Sequence, residues 1–325
     1  MEDGETVGDW ATRWVTSRER RGLSSVRDDR SRLRRHVLPE IGGATIARLD
    51  TNRLEDLRDE LDSKIRNDLL AWRTAQHVWA LVRAMFRDAT RSKQRNLRIR
   101  TDDPCSGIAP PDRGLTKQKP FLFPSEYLAL VSSDAVPVRW RRLVVLSTCL
   151  YLRVAELEAL RWDDVAMEQG MIHVHRAIDR VRGVDKSTKT GGSRRFRIEP
   201  SVLPLLGRLH RESQGSGRVV RSLGPIDRFT LARDLRKYLA LAGVQREELF
   251  ADDVARSRIT FHDLRATGIT WMAVRGDDPL KIRQRAGHRS LATSERYIRV
   301  AEELRPGFGV VFPPVPDEIV NGPLR

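Results

Sequence analysis

The N-terminal third of the chain alternates apolar and polar positions with the 3.6-residue period of amphipathic helices. The period predicts four helices, whose apolar stripes are Val7, Trp10 and Trp14; Val26, Leu33 and Val37; Leu54, Leu57, Leu61 and Ile65; and Ala75, Val78, Trp79, Val82, Met85 and Phe86. Asp50, Thr51 and Asn52 precede the third stripe and are candidate caps for its helix. We therefore predict an all-helical unit over residues 1–103.

The stretch that follows, residues 104–120, breaks this pattern with repeated proline and glycine, at Pro104, Gly107, Pro110, Pro111 and Gly114. It predicts a flexible basic linker between two globular units. Two helical units joined in this way favour a clamp that closes around a rod-shaped ligand, although a linker need not have that role.

A second unit is predicted over residues 121–305, where helical and strand patterns are mixed, followed by a tail over 306–325. Helices are expected after Phe123-Pro124-Ser125-Glu126, around Leu143–Leu150, over 204–210 and 228–242, and on both sides of Ala286-Gly287-His288. Met171–His175 alternates like a strand, and residues 186–200 are predicted to form a hairpin that turns at Gly191-Gly192. The predicted fold class is mainly α with a small antiparallel β-sheet.

Composition narrows the range of partners. The 59 Lys and Arg against 44 Asp and Glu give a formal charge of +15, which favours a polyanion such as nucleic acid. A hydrophobic content of 40% argues against a disordered basic protein. Cys105 and Cys149 form no CxxC motif, and no apolar run is long enough for a membrane span. We expect a soluble protein of a reducing, cytoplasmic compartment.

Six side chains suited to phosphate chemistry follow one another along the second unit: Arg153, Lys189, His262, Arg265, His288 and Tyr297. Taken singly, each has an ordinary explanation, such as a surface arginine, a hairpin lysine that aids solubility, or a half-buried aromatic residue on an amphipathic helix. His173 and His175 share one strand face and could hold a metal, but two ligands alone make that the weaker explanation.

Together, these residues and their surroundings resemble the tyrosine recombinase family, which comprises the phage integrases and the Xer-type recombinases. LRVAELEALRWDD is similar to the first arginine box of that family, TKTGGSRR to its lysine hairpin, FHDLRAT to its His-x-x-Arg box and GHRSLATSERYI to its tyrosine box. The resemblance covers residues 123–302 and implies a mixed α/β catalytic domain there. It extends more loosely to a helical, SAM-like core-binding domain over 1–103. Tyr151 stands where the family usually has a small residue.

The chemistry of these residue types fits the roles that the resemblance implies. A phenol has a pKa near 10, so Tyr297 needs activation before it can attack a phosphodiester. Arg153 and Arg265 are suited to the non-bridging oxygens, where negative charge builds up, and His288 can donate a further hydrogen bond. The resemblance makes Lys189 the general acid for the leaving 5′ oxygen. It also implies that His262 assists proton transfer at the tyrosine or braces the phosphate, whereas Glu156 is expected to orient its neighbours.

The expected function is site-specific DNA recombination through a 3′-phosphotyrosyl intermediate, in the integration or excision of a mobile element. Two alternatives stay open. A type IB topoisomerase uses similar chemistry, but that family has Lys where this chain has His262. A non-catalytic DNA-binding descendant would be expected to lack at least one of the six residues. Neither a nucleotide nor a metal is expected, because no GxxxxGK[ST] loop occurs and cationic side chains take the electrostatic role.

The resemblance further implies double-stranded DNA as partner, a homotetramer on paired DNA sites, and a bacterial-type, nucleoid-associated location. Accessory DNA-bending or directionality factors are also conceivable partners. In the tail, Val310, Val311 and Phe312 form an apolar peg that we expect to dock on a neighbouring protomer. Folding back on its own domain, or disorder, are the alternatives.

Overall fold

The computed structural model of the protein describes residues 4–115, 117, 119–179, 183–187, 192–253, 256–304 and 308–322. The chain forms two compact units, Met1–Thr116 and Lys117–Arg325, which divide within the predicted linker. Each unit has a hydrophobic core of its own. Among the described residues, no helix is both long enough and apolar enough to cross a bilayer.

The first unit is helical, as its apolar period predicts. Its helices are α1 (Val7–Arg20), α2 (Val26–Arg32), α3 (Leu38–Ile41), α4 (Thr51–Arg66) and α5 (Trp72–Arg91), with a short 3-10 turn at Arg95–Leu97. The Thr6 hydroxyl accepts a hydrogen bond from the Asp9 amide and caps α1, and Asp50 caps α4 in the same way through Arg53. Between α2 and α3 the helix widens into a π-type turn, Leu33–Val37, which the helical period does not predict.

Part of the predicted linker is packed rather than free. Cys105 and Ile108 are buried in the core of the first unit. The backbone amide of Asp112 donates a hydrogen bond of 2.7 Å to the carboxylate of Asp62. Proline and glycine prevent helix formation here, but they do not prevent apolar side chains from reaching the core.

The second unit combines nine described helices with five short strands. Its helices are α6 (Pro124–Ser132), α7 (Val138–Cys149), α8 (Val154–Ala159), α9 (Leu203–Glu212), α10 (Leu231–Leu241), α11 (His262–Arg275), α12 (Pro279–Ala286), α13 (Leu291–Leu304) and α14 (Asp317–Asn321). Its strands are β1 (Val165–Ala166), β2 (Met171–Val174), β3 (Arg176–Ile178), β4 (Asp185–Ser187) and β5 (Arg194–Arg197). The antiparallel order β1-β2-β5 forms one sheet, and β3-β4 forms another.

The turn predicted at Gly191-Gly192 lies partly outside the described residues, and the described strands beside it do not pair with each other. β4 pairs with β3, and β5 pairs with β2, so the strands on either side of that dipeptide belong to different sheets. The described antiparallel pair is β3 with β4, and beside it Gly183 has a φ of +66° and the Asp179 amide donates to the Val184 carbonyl at 2.8 Å. A Gly-Gly pair marks a chain reversal in sequence but does not identify the partner strand.

Helix α11 lies at the centre of the second unit, packed against α7 and α13. Gly268 allows the close approach to α7, since a Cβ there would lie 2.0 Å from the Thr148 carbonyl oxygen and 2.9 Å from Cδ1 of Tyr151. The Thr267 hydroxyl accepts from the Leu122 amide at 3.0 Å, and the Trp271 indole donates to the Leu122 carbonyl at 3.0 Å. The middle of α11 is thereby fixed to the segment before α6 and to the end of α7.

The C-terminal tail lies against its own unit in this structure, which is one of the two alternatives to docking on a neighbour. The Phe312 ring packs on Tyr151 and Trp271, with ring centroids 5.9 and 5.4 Å apart. Val310 is 78% exposed, so only part of the predicted peg is buried. Helix α14 follows, and the buried Arg142 donates a hydrogen bond of 2.9 Å to the Ile319 carbonyl. Docking of the peg on a neighbouring protomer stays a prediction.

Candidate active site

Arg153 and Glu156 form a closed turn at the start of α8. The Arg153 amide donates to Oε2 of Glu156 at 3.0 Å, and its guanidinium donates to Oε1 at 2.8 Å. The Glu156 side chain is only 3% exposed, whereas that of Arg153 is 44% exposed. The carboxylate therefore orients a guanidinium that solvent, or a ligand, can reach.

Arg265 is buried behind Arg153. Its guanidinium donates to the backbone carbonyls of Tyr151 and Ala286, and its Nη1 lies 3.7 Å from Oε2 of Glu156. Burial lowers the pKa of Arg265, and repulsion from Arg153 acts in the same direction. The two sequence-predicted arginines thus converge on one carboxylate, and three protein oxygens fix the inner one.

Arg194 is a third guanidinium at this carboxylate, and the sequence analysis did not single it out. Its Nη2 donates to Oε2 of Glu156 at 2.7 Å, and its Nε donates to the Arg285 carbonyl at 2.9 Å. Along β5 the side chains alternate between buried and exposed, and Arg194 shares the buried face with Phe196. This period of two is the signal that could have identified Arg194 as an inward-facing residue.

Glu156 is ionised by its surroundings. Burial alone would raise its pKa, but the hydrogen bond from Arg194 and the charges of Arg194, Arg265 and Arg153 lower that pKa to about 2. The carboxylate therefore balances part of the positive charge at neutral pH. Its function as an orienting residue stays a prediction that this geometry supports.

His288 follows the end of α12, where the chain turns sharply. Gly287 adopts a left-handed φ of +62°, and the His288 amide donates to the Arg283 carbonyl at 3.1 Å. The imidazole Nδ1 lies 3.0 Å from the hydroxyl oxygen of the buried Ser294. The ring is therefore held by a residue of the next helix, α13.

Tyr297 is half-buried on α13 and faces His288. The two rings are stacked, with centroids 5.9 Å apart and planes inclined by 14°. The turn at Gly287 brings the two residues together, although nine positions separate them in sequence. The phenol is consequently placed beside the imidazole that the tyrosine box supplies.

His262 is the first residue of α11, three positions before Arg265. Its side chain is exposed to solvent, yet desolvation by the surrounding protein lowers its pKa, and the charge of Arg265 acts in the same direction. The imidazole is therefore neutral at pH 7. Lys189 lies outside the described residues.

A cavity of about 350 Å³ lies beside these groups. Its lining is Arg153, Gly192, Ser193, Arg194, Arg283, Gln284, Gly287, His288 and Arg289. Arg283 and Arg289 were missed from sequence, because an exposed arginine near a helix end has no distinguishing pattern. Their position beside His288 makes this cavity strongly cationic and suited to a phosphate group.

Among the described residues, no third side chain is placed to bind a metal ion together with His173 and His175. The two rings stack with centroids 4.5 Å apart, and Nε2 of His175 lies 2.9 Å from Oδ1 of Asp164. Arg176 donates to the same oxygen at 2.9 Å. Within the part of the chain that the structure describes, no group of three or more His, Cys, Asp or Glu side chains is arranged to hold a metal ion.

The chain is similar to a known protein family and to individual proteins. The model of the phage integrase family matches residues 121–303. Tyrosine recombinase XerC of Syntrophus aciditrophicus (strain SB) is 27% identical over 184 residues, which cover 52% of this chain and 51% of XerC. The chain spans about half the length of the curated relatives it matches.

Two groups of solved structures share the fold. The Tn1549 transposon integrase in complex with a circular intermediate DNA gives a TM-score of 0.67 at 18% identity, covering 92% of this chain and 99% of that one. A lambda integrase tetramer bound to a Holliday junction gives a TM-score of 0.63 at 16% identity, covering 91% and 78%. The predicted fold class, mainly α with a small antiparallel sheet, is confirmed.

Proposed function

Because the chain belongs to the phage integrase family, as its four sequence boxes predict, we propose that it is a site-specific DNA recombinase. It cleaves and rejoins DNA strands through a 3′-phosphotyrosyl intermediate, in the integration or excision of a mobile element. The observation that carries the proposal is the convergence of Arg153 and Arg265 on Glu156, beside a cationic cavity that His288 also lines.

In the proposed cleavage step, the Tyr297 oxygen attacks the scissile phosphorus and the bond to the 5′ oxygen breaks. The phenol proton passes to the neutral His262, and Lys189 gives a proton to the departing 5′ oxygen, which leaves as a hydroxyl. Arg153, Arg265 and His288 stabilise the charge on the non-bridging oxygens. The reverse reaction, with a 5′ hydroxyl of another strand, rejoins the DNA and releases Tyr297.

The preorganisation of the arginines supports this assignment. Arg265 is held by two carbonyls and one carboxylate, and Arg153 by the turn that Glu156 closes, so neither has to be ordered when the phosphate binds. Loss of one such preorganised donor costs about 3 to 4 kcal/mol in other enzymes, or on the order of a hundredfold to a thousandfold in rate.

The first test is trapping of the covalent intermediate. DNA ends that carry covalently attached protein are mapped in cells, and a nicked duplex of the mapped site is then incubated with the purified protein. The wild type is expected to form an adduct that withstands denaturant, and Tyr297→Phe to form none while still binding the duplex. Tyr238→Phe, on α10, is the matched control. An adduct with Tyr297→Phe would show that another residue is the nucleophile.

A second test separates recombination from DNA relaxation. Two copies of the mapped site on one plasmid should yield recombinant circles, whereas a supercoiled plasmid without the site should stay supercoiled. The family relative solved as a tetramer on a Holliday junction supports four protomers on two sites for this chain as well. Rapid relaxation without recombinants would favour the topoisomerase alternative.

A further inference from the structure

Glu199 is a buried carboxylate outside the set of phosphate-binding residues. It follows β5 and is 4% exposed. Its Oε1 accepts hydrogen bonds from Arg285 at 2.8 Å and from Arg275 at 2.9 Å, and its Oε2 accepts a second bond from Arg275 at 2.7 Å. The hydroxyl of Tyr151 also donates to Oε1.

Two of these partners, Tyr151 and Arg285, belong to the segments whose backbone carbonyls hold Arg265. Tyr151 supplies one of the two carbonyls that accept from the Arg265 guanidinium, and Arg285 directly precedes Ala286, which supplies the other. The carbonyl of Arg285 itself accepts from Arg194. The Glu199 carboxylate therefore binds a side chain from each of the two segments whose backbone carbonyls hold Arg265.

The conformation of Tyr151 indicates that this arrangement is imposed by its surroundings. Its φ of +54° lies in the left-handed region, which is unfavourable for a bulky side chain. Gly268 leaves the space that the ring occupies, and Glu199 accepts a hydrogen bond from its hydroxyl. The larger side chain at this position thus gives the loop before Arg153 a hydrogen bond that a small residue could not make.

Glu199 is held in its negatively charged form, in which it can accept all of these hydrogen bonds. Burial alone would raise its pKa, but hydrogen bonds from Arg275 and Tyr151 hold that pKa below its ordinary value. Arg275 also binds Asp277 at 2.8 Å, so the cluster is closed by a second carboxylate. Replacing Glu199 by glutamine would turn an acceptor oxygen into an amide donor that faces guanidinium donors.

We infer that Glu199 is a positioning residue for Arg265, acting through Tyr151 and Arg285 on the two carbonyls that aim its guanidinium. The inference rests on the proposed function. Without the negative charge, the Tyr151 loop and the end of α12 are no longer tied to one point. The Arg265 guanidinium then moves away from the oxygens that it stabilises.

The test compares Glu199→Gln on two suicide duplexes of the mapped site, one with an ordinary scissile phosphodiester and one with a methylphosphonate. At saturating DNA, the variant should form the covalent adduct on the phosphodiester about 10- to 100-fold more slowly than the wild type. On the methylphosphonate, which carries one fewer negative charge for Arg265 to stabilise, the deficit should shrink to less than about threefold. Duplex affinity should stay within about twofold, since Arg265 acts on the transition state.

Three further variants sharpen the comparison. Glu212→Gln also replaces a carboxylate that binds two arginines of this unit, Arg142 and Arg208, and should leave both rates unchanged. The double variant Glu199→Gln with Arg265→Ala should be no slower than Arg265→Ala alone. If Glu199→Gln does not fold, Tyr151→Phe removes only the hydroxyl and should give the same pattern with a smaller deficit.

An equal deficit on both duplexes, an unchanged rate on the phosphodiester, or additive losses in the double variant would each overturn the inference. A wild-type protein that forms no adduct would overturn the proposed function itself, and the inference with it. Adduct formation by the wild type together with a normal rate for the glutamine variant would overturn the inference alone.

Discussion

The imidazole of His288 stacks on the phenol of Tyr297 at 5.9 Å, while its Nδ1 lies 3.0 Å from the hydroxyl of Ser294. One turn of α13 therefore supplies both the proposed nucleophile and the group that orients its neighbouring histidine. The geometry of the pair depends on a side chain that carries no reactive role of its own.

Replacing Ser294 by alanine should slow adduct formation by roughly threefold to tenfold, because a neutral hydrogen bond contributes about 1 kcal/mol. The measurement is the single-turnover rate on the nicked duplex. Ser290→Ala serves as the control, since the exposed Ser290 bonds only to Thr293 among the described contacts. Equal rates for the two variants would mean that Ser294 does not orient His288.

Arg289 should contribute to DNA affinity rather than to chemistry, because it lines the cavity but is exposed. For Arg289→Ala we expect weaker binding and a salt dependence of log K whose slope is smaller by about 1, as for the loss of one phosphate contact. Fluorescence anisotropy at several salt concentrations measures both quantities. Arg233→Ala, an exposed arginine on α10, should change neither.

Low pH should reduce the free energy of unfolding of the second unit, because Glu156 becomes protonated. Its pKa is lowered from 4.5 to about 2 in the folded state, so the stabilisation is complete above about pH 4.5 and is lost as the pH falls toward 2. That difference corresponds to about 3 kcal/mol in the free energy of unfolding. Urea denaturation should show the gap between wild type and Glu156→Gln narrowing by this amount across that range. A constant gap would show that Glu156 keeps an ordinary pKa.

Both cysteines should resist alkylation in the folded protein. Burial raises the pKa of Cys105 and of Cys149 to about 12, so at pH 8 only on the order of one thiol in ten thousand is ionised. Mass spectrometry after iodoacetamide should find both unmodified until denaturant is added. Because the two thiols lie in different cores, each reports on the unfolding of its own unit.

The sequence predicts where helices and strands lie better than it predicts which strands pair with each other. The apolar periods around Trp10 and Trp79 predict α1 and α5, because one face of each helix is buried in one core. The wider turn at Leu33–Val37 escapes prediction, since its apolar residues still fit a helical stripe. The pairing of β4 and β5 escapes it as well, because strand partners are set by contacts distant in sequence.

The residues of the candidate site also fall into two groups, those that the sequence identified and those that only the structure showed. The boxes around Arg153, Arg265, His288 and Tyr297 could be recognised from sequence because they follow one another in the order of the family's motifs. In the structure Arg153 and Arg265 meet at Glu156, His288 lines the same cavity as Arg153, and Tyr297 stacks on His288. The period of two along β5 could have indicated that Arg194 faces inward, whereas Glu199 has no such pattern, because the sequence alone does not distinguish a buried ion pair from two surface charges.

The left-handed turn at Gly287 has a practical consequence for retargeting the protein to new DNA. A Cβ at this position would lie 3.1 Å from Nη1 of Arg194 and 3.2 Å from its Cζ, so every other amino acid would push against that guanidinium. Gln284 and Arg289, by contrast, are exposed on either side of the turn. A combinatorial library can therefore vary Gln284, provided that Gly287 is left as it is and that Arg289 is kept for its expected phosphate contact.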